Sequence, residues 1–471
     1  MDNNEMSKKP FLDGFFKFSS RGGSLKSDVI AGIVTFLAMC YILPVNAGIL
    51  SDAGMSQFGV YASTGLVSAL ACLIMGFVAN APIALSAGMG LNAFFTYTIC
   101  LQLGYSWQEA MIVLFITGII FFSFSLTPIR RKIIAAFPND LKRIISAGLG
   151  AFIAFVGLNK SQIIISSPST LVTLGSLSSP GVIICIAGVF LVFFLSNLKT
   201  KHTWINSLAV PMTMFLVAIT GYIITCCGVN DPTLPNIHIN QNWGIHDYDK
   251  VIFFGFLDKS NSNSFLDMLG KIFSNPATYG IIFSLIFVNL FDTTATLMAV
   301  GRSTGVADEN GNLTNNRAIM ADAIGALVCA PLGTCTVTSF AESAIGVASG
   351  ARTGLAAIVT GLLFLLSSFV YPVFELFTAP SVYGLALISV GGLIFSSNLA
   401  ELNWKEVEIG FSAFVTIVLI ILTYSLTNGI GFGLLTYIVI SLARGKGKQI
   451  NWILYLITGF YILSFVINEI L

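Results

Sequence analysis

The feature that most constrains this chain is a succession of apolar stretches along almost its whole length. A transmembrane helix needs about 20 apolar residues, and fewer where the helix is broken inside the protein. Such stretches recur fourteen times, in two sets of seven separated by a long polar connection, and cover residues 28–50, 58–79, 83–103, 108–127, 144–158, 181–198, 205–227, 277–300, 318–331, 333–348, 354–373, 381–397, 407–424 and 427–443. The pattern predicts an all-α polytopic membrane protein with about 14 transmembrane segments.

The composition excludes most other classes of protein. Only 10% of the residues are charged and 55% are hydrophobic, whereas a soluble domain has about 25% charged residues. Intrinsic disorder is excluded because the apolar content is high and the net charge is only +1. The 23 basic residues balance the 22 acidic ones without forming a basic stripe. We therefore expect no binding to nucleic acid.

The positive charges indicate the orientation in the membrane. With the N-terminus in the cytoplasm and fourteen alternating spans, nineteen of the 23 Lys and Arg residues fall on the cytoplasmic side. This is the positive-inside bias of a correct topology. An odd number of spans in each set also makes the two sets antiparallel, as an inverted repeat requires. We predict a 7+7 inverted repeat in a plasma membrane, the bacterial inner membrane, with a cytoplasmic N-terminus.

This layout divides the chain into five parts. They are a cytoplasmic N-terminal segment (1–27), a first seven-span repeat (28–227), an extracellular connection (228–276), a second seven-span repeat (277–443) and a basic C-terminal segment with an additional apolar helix (444–471). The final apolar run, 452–471, is long enough either to span the membrane or to lie along its interface. The sequence leaves that choice open, together with the question of whether the chain forms a homodimer.

No cofactor or metal is predicted. None of the eight cysteines belongs to a C-x-x-C pair, and most lie in apolar runs, where a thiol is usually a small hydrophobe. The histidines, His202, His238 and His246, all lie in polar connections. A membrane enzyme is disfavoured because there is no H-E-x-x-H motif and no histidine within the predicted spans.

Two short segments at matching positions of the two sets point to a transport site. "APIALSAGMGLNAFF" begins at Ala81 in the third span and "APLGTCTVTSFAESA" begins at Ala330 in the tenth. Discontinuous helices at corresponding positions of two repeats are the best sequence indicator of a transporter binding site. Their half-helix N-termini would offer N–H groups near Gly88 and Thr338 to a substrate. The alternative is close helix packing through small residues.

Two acidic residues lie where a bilayer makes them costly. Asp292 is in the middle of the eighth span and Glu342 is in the tenth, next to Ser343; an acid at such a depth costs about 2.5–3.5 kcal/mol. Burial without a basic partner favours a protonated carboxyl group, which suits proton-coupled uptake, with sodium as the alternative coupling ion. The simpler explanation for each acid is an interhelical hydrogen bond. Asp322 and Glu375 lie nearer span ends, where a helix cap or interfacial contact explains an acid.

Several motifs resemble those of a known transporter family. "ALSAGMGLNAFFTY", "NLFDTTATLMAVG", "ADENGNLTNNRAIMADAIGALVCAPLGT" and "TVTSFAESAIGVASGARTGLAAIVTGLLF" are similar to the AzgA-like purine permeases of the nucleobase–ascorbate transporter superfamily, as is the opening "FFKFSSRGGSLKSDVIAGIVTFLAMCYILPVN". The resemblance implies a 7+7 inverted repeat with discontinuous third and tenth segments. It also implies a core domain of spans one to four and eight to eleven, a gate domain of the other spans, and symport of hypoxanthine, guanine or adenine with protons.

The resemblance also places substrate contacts in the third, eighth and tenth spans, at positions that match Asn92, Asp292 and Glu342. These groups suit a neutral purine, because a carboxylate accepts from ring N–H and amino groups, while an amide both donates and accepts. We assign proton coupling to Asp292 and Glu342. The full predicted binding set is Asn92, Asp292, Glu342, Gly88, Thr338 and Ser343.

The preferred substrate is not fixed by the sequence. The family often has a second acid and a Gly around the eighth-span Asp, where this chain has Asn289 and Ala295. The alternatives are another nucleobase, such as xanthine or uracil, and an anion, because sulfate-permease-like proteins share the general architecture. An anion carrier would need a fixed positive charge near the broken helices. None is visible there, and two acids would repel an anion.

Overall fold

The structure is a computed structural model that describes residues 11–199, 205, 206, 208–236, 265–304, 306 and 315–470. The first ten residues of the predicted N-terminal segment lie outside the described residues, as do residues 237–264 of the predicted connection and all three histidines. Eight of the described helices are long and apolar enough to cross a membrane, and further apolar helices are shorter.

All seven spans of the first set are present. They are span 1 (Leu25–Met39 and Ile42–Ser51), span 2 (Gln57–Ile74 and a π-helix, Met75–Ala79), span 3 (a strand, Leu85–Ala87, a helix, Met89–Ala93, and a π-helix, Phe94–Gln102), span 4 (Trp107–Leu126), span 5 (Asn139–Lys160), span 6 (Pro180–Ser196) and span 7 (Ala209–Cys226). Short helices precede span 1 (Phe11–Phe16) and link spans 4 and 5 (Ile129–Ala136). The hydroxyls of Ser24, Ser56 and Ser106 cap spans 1, 2 and 4, because each accepts from a first-turn N–H group.

The second set repeats this order. It comprises span 8 (Ala277–Thr304), span 9 (Asn316–Val328), span 10 (a strand, Val337–Ser339, and a helix, Ser343–Ala348), span 11 (Gly354–Ser367), span 12 (Pro380–Ala400), span 13 (Val407–Thr423) and span 14 (Leu426–Ala443). Further helices are Phe265–Ser274, Tyr371–Glu375 and Trp452–Ile470. Pro180 and Pro380 open spans 6 and 12, where a missing N–H costs nothing. The third and tenth spans are both broken, as predicted.

The two broken spans meet through their strands. β1 (Leu85–Ala87) pairs antiparallel with β4 (Val337–Ser339), and Leu85 lies opposite Ser339. The other two strands, β2 (Ile164–Ser167) and β3 (Leu171–Leu174), form a hairpin between spans 5 and 6. Equivalent segments of an inverted repeat meet antiparallel when a two-fold axis in the membrane plane relates them. The pairing also satisfies backbone groups that a helix would otherwise satisfy.

Packing divides the spans into two groups. Span 11 packs on spans 1 and 2, and span 9 packs on span 4. Span 12 packs on spans 5, 6 and 7, and span 13 packs on spans 5 and 14. The first group corresponds to the predicted core domain and the second to the predicted gate domain. The strand pair belongs to the core, where it contacts spans 2, 8 and 9.

Glycines allow a close helix crossing in the gate, between spans 5 and 12. A β-carbon on Gly157 would lie 2.8 Å from the carbonyl oxygen of Gly384, and one on Gly150 would lie 2.8 Å from that of Gly391. Because lipid offers no hydrophobic driving force between helices, small residues that allow close backbone approach take over the packing. Spans 5 and 12 therefore form a tight unit within the gate.

The C-terminal apolar run forms a helix, Trp452–Ile470, that packs on spans 8 and 14. The hydroxyl groups of Tyr461 and Ser284 lie 3.1 Å apart and share a hydrogen bond. The rings of Phe460 and Phe283 have centroids 4.4 Å apart. These contacts attach the helix to span 8.

Candidate substrate site

The candidate site forms around β1 and β4, whose ends continue into the short helices of spans 3 and 10. The ladder extends beyond the strands, since the Gly88 N–H donates to the Thr336 carbonyl at 2.9 Å and the Phe340 N–H to the Ala84 carbonyl at 3.0 Å. Ser86 lies opposite Thr338, midway between these two bonded pairs. Because bonded and non-bonded pairs alternate along an antiparallel ladder, Ser86 and Thr338 also form a hydrogen-bonded pair.

The N–H groups of Gly88 and Thr338 themselves are therefore not free for a substrate, because the ladder uses both. The physical reason is that two broken helices placed side by side satisfy each other's backbone before any ligand arrives. The membership of these two residues in the binding site stays a prediction.

Asp292 approaches the strand pair from span 8. The Thr338 hydroxyl donates to Asp292 Oδ2 at 3.1 Å. Thr338 therefore contributes to the candidate site through its side chain and not through its backbone N–H. The Asp292 side chain is half-buried, and it lies within electrostatic range of the carboxyl groups of Glu342 and Asp322. The structure thus brings the two acids singled out in the sequence into one cluster.

Glu342 immediately precedes the helix Ser343–Ala348 and is half-buried. Its Oε1 accepts from the Tyr41 hydroxyl at 2.7 Å, and Tyr41 lies at the break between the two helices of span 1. A carboxylate has about four acceptor sites, so Glu342 keeps capacity for a ligand. Tyr41 is a site residue that the motifs do not reveal, and its only sequence signal is Pro44, which marks the break.

Ser343 ties the two broken spans together. Its hydroxyl oxygen accepts from the Ala84 N–H at 2.9 Å, one residue before β1 begins. Ser343 is fully buried, and its hydroxyl hydrogen is still available for donation. The observed role of Ser343 is therefore to hold span 10 against span 3, and its predicted contact with a substrate stays a prediction.

Asp322, in span 9, is fully buried behind β4. Its Oδ1 accepts from the Ser339 N–H at 3.1 Å, the Ser339 hydroxyl at 3.0 Å and the Thr293 hydroxyl at 3.2 Å. The interpretation of Asp322 as a helix cap or interfacial residue is wrong, because this acid lies inside the protein and fixes β4 against span 8. The missed signal is the small-residue run "ADAIGA", since an acid in a closely packed helix needs internal partners.

A buried arginine accompanies Asp322. Arg130, in the short helix Ile129–Ala136, is 2% exposed, and its Nη1 donates to the Ser125 hydroxyl at 3.1 Å. The guanidinium interacts electrostatically with Asp322. The expectation that no fixed positive charge lies near the broken spans is therefore corrected. The three carboxyl groups of Asp292, Asp322 and Glu342 still outnumber this one guanidinium, and the balance continues to disfavour an anionic substrate.

Asn92 is fully buried on span 3, in a second polar cluster. Its Nδ2 donates to Asn46 Oδ1 at 2.5 Å, and Asn46 Nδ2 donates to the hydroxyls of Thr64 at 2.7 Å and Thr334 at 2.9 Å. Asn92 Oδ1 has no hydrogen-bond partner within the described part of the chain. The structure joins Asn92 to Asn46 rather than to the two acids, so its contact with a substrate stays a prediction.

Replacing Asn92 with Ala is expected to weaken purine binding by about tenfold while lowering stability by about 1 kcal/mol, as expected for one hydrogen bond. The control is Asn46→Ala, which removes the same bond from its other end, together with the two bonds to Thr64 and Thr334, without removing the free Oδ1 of Asn92. Affinity and thermal unfolding should be measured on the same purified proteins. A loss of stability with unchanged affinity in Asn92→Ala would make Asn92 purely structural.

Ser343→Ala is expected to destabilise the protein by about 1–3 kcal/mol, because it leaves the buried Ala84 N–H without its acceptor. The measurement is thermal unfolding in detergent. Ser63→Ala is the matched control, since Ser63 is fully buried and its hydroxyl has no hydrogen-bond partner among the described residues. A larger loss for Ser63→Ala than for Ser343→Ala would contradict the role given to the Ser343–Ala84 bond.

Two apolar cavities have linings that contain none of the three carboxyl groups. One of 620 Å³ is lined by spans 4 and 8 and the C-terminal helix, and one of 460 Å³ lies between spans 1 and 7. Tyr41 lines the second cavity, which therefore reaches the residue that binds Glu342. Within the described residues, no three histidine, cysteine or acidic side chains are placed to hold a metal ion.

Comparisons with known proteins identify relatives of almost full length. Residues 26–432 match the model of a family described as a permease family, Xan_ur_permease. A guanine/hypoxanthine permease of Bacillus subtilis (strain 168) is 38% identical over 96% of this chain and 99% of its own length. An adenine permease of Escherichia coli (strain K12) is 34% identical over 97% of both chains.

Solved structures show the same fold at low sequence identity. The transmembrane domain of the cyanobacterial bicarbonate transporter BicA has a TM-score of 0.55 at 13% identity, over 85% of this chain and 96% of that one. The murine anion transporter solute carrier 26 family member A9, in its inward-facing state, has a TM-score of 0.58 at 13% identity, over 94% and 74%. The likeness confirms the predicted fold, a 7+7 inverted repeat with core and gate domains.

Proposed function

This chain belongs to the permease family, and on that premise we propose that it is a secondary active transporter that imports purine nucleobases. It is a multi-pass membrane transporter and not an enzyme. Guanine and hypoxanthine are the first substrates proposed and adenine the next, because relatives of almost full length carry those substrates in their names.

The pair of carboxyl groups at the strand junction is the observation that carries this proposal. Asp292 and Glu342 lie beside β1 and β4, where hydroxyl groups of Thr338 and Tyr41 hold one oxygen of each. A purine is neutral and planar and presents N–H donors along its edge: guanine has a ring N–H next to an amino group, hypoxanthine a ring N–H, and adenine an amino group. Carboxylate oxygens accept from such donors.

We propose the proton as the coupling ion, exchanged at Asp292 and Glu342. A carboxyl group in surroundings of low dielectric favours its protonated form, while a donor that binds to it favours the ionised form. Proton occupancy and base occupancy are then thermodynamically linked, whichever binds first. Asp322 is assigned a structural role instead, because its Oδ1 accepts three hydrogen bonds from β4 and span 8.

The proposed orientation has the N-terminus in the cytoplasm of a bacterial cell, with the chain in its plasma (inner) membrane. It rests on the positive-inside distribution of Lys and Arg. Residues 28–227 and 277–443 then form the two inverted halves. In this orientation the helix Ile129–Ala136 lies on the cytoplasmic side, whereas Asp52 and Lys160 lie on the extracellular side.

A competition panel tests the proposed function. Cells without purine uptake of their own would express the chain and take up labelled hypoxanthine in the presence of unlabelled hypoxanthine, guanine, adenine, xanthine or uracil. We expect guanine and hypoxanthine to abolish labelled uptake, adenine to reduce it and uracil to leave it unchanged. Stronger competition by xanthine or uracil than by guanine would support the alternative nucleobase, and competition by bicarbonate or sulfate would support an anion carrier.

A further inference from the structure

A charged cluster joins the core to the gate at one end of the molecule. Asp52 directly follows the second helix of span 1, and Lys160 is the last residue of span 5. Lys160 Nζ lies 2.9 Å from Asp52 Oδ2, and the two side chains are only 25% and 26% exposed. Span 1 belongs to the core and span 5 to the gate, so this ion pair crosses the boundary between the domains.

Tyr97, in span 3 of the core, completes the cluster. Its hydroxyl donates to the same Asp52 oxygen at 2.7 Å, and Lys160 Nζ lies 5.2 Å from the centre of its ring. Tyr97 is 8% exposed. The lysine therefore has a carboxylate and an aromatic face as partners, and both come from the core. Such shared, partly buried contacts are worth more than an exposed surface ion pair.

Aromatic and polar contacts from span 13 close the same boundary. The Thr98 hydroxyl donates to the carbonyl of Tyr424, and the Gln102 amide donates to that of Thr423 at 3.2 Å. The ring centroids of Tyr424 and Tyr97 lie 6.5 Å apart. Core residues of spans 1 and 3 thus meet gate residues of spans 5 and 13 at one membrane surface.

The Asp52–Lys160 pair is singular among the ion pairs of the described residues, because it alone joins a core span to a gate span. The pairs of Arg143, Arg444 and Lys446 connect gate residues or loops between gate spans. Lys271, in the helix Phe265–Ser274 that precedes span 8, pairs with Glu109 of span 4 at 2.9 Å. Relative movement of the two domains must therefore separate Lys160 from Asp52 and can leave the others intact.

We propose that Asp52, Lys160 and Tyr97 form a latch that holds the extracellular side closed and must open in every transport cycle. The latch rests on the proposed function for its orientation and for the movement of core against gate. Closing brings opposite charges together out of water, and opening returns them to solvent. Removing either charge lowers the cost of opening and shifts the population towards the outward-open state.

The test measures accessibility from outside the cell and needs no substrate. Val156→Cys supplies the reporter: Val156 is 1% exposed and lies one turn before Lys160 on the same helix face. A β-carbon added to Gly90 of the core would lie 2.3 Å from the side chain of Leu149, which is two turns before Val156. This face of span 5 is therefore directed at the core. The exposed Cys226 and Cys227 are replaced by Ser to remove background labelling.

Whole cells would be treated with a membrane-impermeant thiol reagent. We expect Asp52→Asn and Lys160→Met each to raise the labelling rate of the Cys introduced at Val156 by about tenfold. The exchanged pair, Asp52→Lys with Lys160→Asp, should return the rate towards that of the parent. Lys271→Met is the matched control, since it removes an ion pair at the same surface that does not join core and gate, and it should change nothing.

Two results would overturn the latch. One is unchanged labelling in both single variants while each is present at the cell surface. The other is an exchanged pair that labels as fast as the single variants, which would mean that the charges act separately. Because labelling does not depend on any nucleobase, a wrong substrate assignment would leave this result unaffected, and failure of the latch would leave the uptake panel unaffected.

Discussion

Glu342→Gln is expected to reduce purine uptake at least about 100-fold. The substitution keeps the size of the side chain but replaces a carboxylate oxygen with a donor that faces the N–H edge of the base. Loss of a hydrogen bond to a charged group costs about 1.5–3 kcal/mol, and the variant also cannot exchange a proton. The measurement is initial uptake of labelled hypoxanthine, normalised to the amount of inserted protein.

Two further variants sharpen this test. Glu401→Gln makes the same chemical change in an exposed ion pair with Arg143 and should leave uptake unchanged. Tyr41→Phe removes only the hydroxyl that donates to Glu342, and we expect a loss of about tenfold from one hydrogen bond. Normal uptake by well-inserted Glu342→Gln would show that this acid is not part of the substrate site.

Asp292→Asn is expected to abolish accumulation of purine against its gradient while keeping exchange of labelled for unlabelled base. The Asn side chain resembles the protonated carboxyl group in shape, and it can still accept from the Thr338 hydroxyl, which lies 3.1 Å from the native carboxylate. It cannot take up or release a proton, so the link between proton and base is lost. Uptake and exchange should be compared in proteoliposomes with equal amounts of protein.

Asp322→Asn separates coupling from structure in this comparison. Asp322 holds β4 through Ser339, so its replacement should lower thermal stability and impair uptake and exchange together. Asp292→Asn should impair accumulation alone. Undiminished gradient-driven accumulation by Asp292→Asn would exclude an essential protonation role for this acid.

The sequence predicts the spans and their broken members because hydropathy and Ala-Pro breaks are local properties. It also singles out Asp292 and Glu342 as candidate site residues, because an acid in mid-membrane is costly wherever its partners come from. The partners themselves are contacts between distant segments. Tyr41 reaches Glu342 from span 1, and nothing in the sequence around either residue specifies that pairing.

Arg130 shows a different reason for a missed residue. It stands in the run "IRRK", where the positive-inside rule already explains basic residues. Only packing reveals that its side chain turns inward, to 2% exposure, towards Asp322. Gly88 shows the opposite error, because a helix N-terminus predicts a free N–H, and the antiparallel neighbour in span 10 accepts it. Both cases depend on the meeting of the two repeats.

The most direct test of the account is uptake of labelled guanine into proteoliposomes that contain only this protein, with and without an inward proton gradient. The account predicts that guanine accumulates above its external concentration under the gradient, that a protonophore collapses the accumulation to equilibrium, and that unlabelled hypoxanthine competes. Guanine uptake that is indifferent to the gradient, or no uptake by well-inserted protein, would contradict proton-driven purine import through the Asp292–Glu342 site.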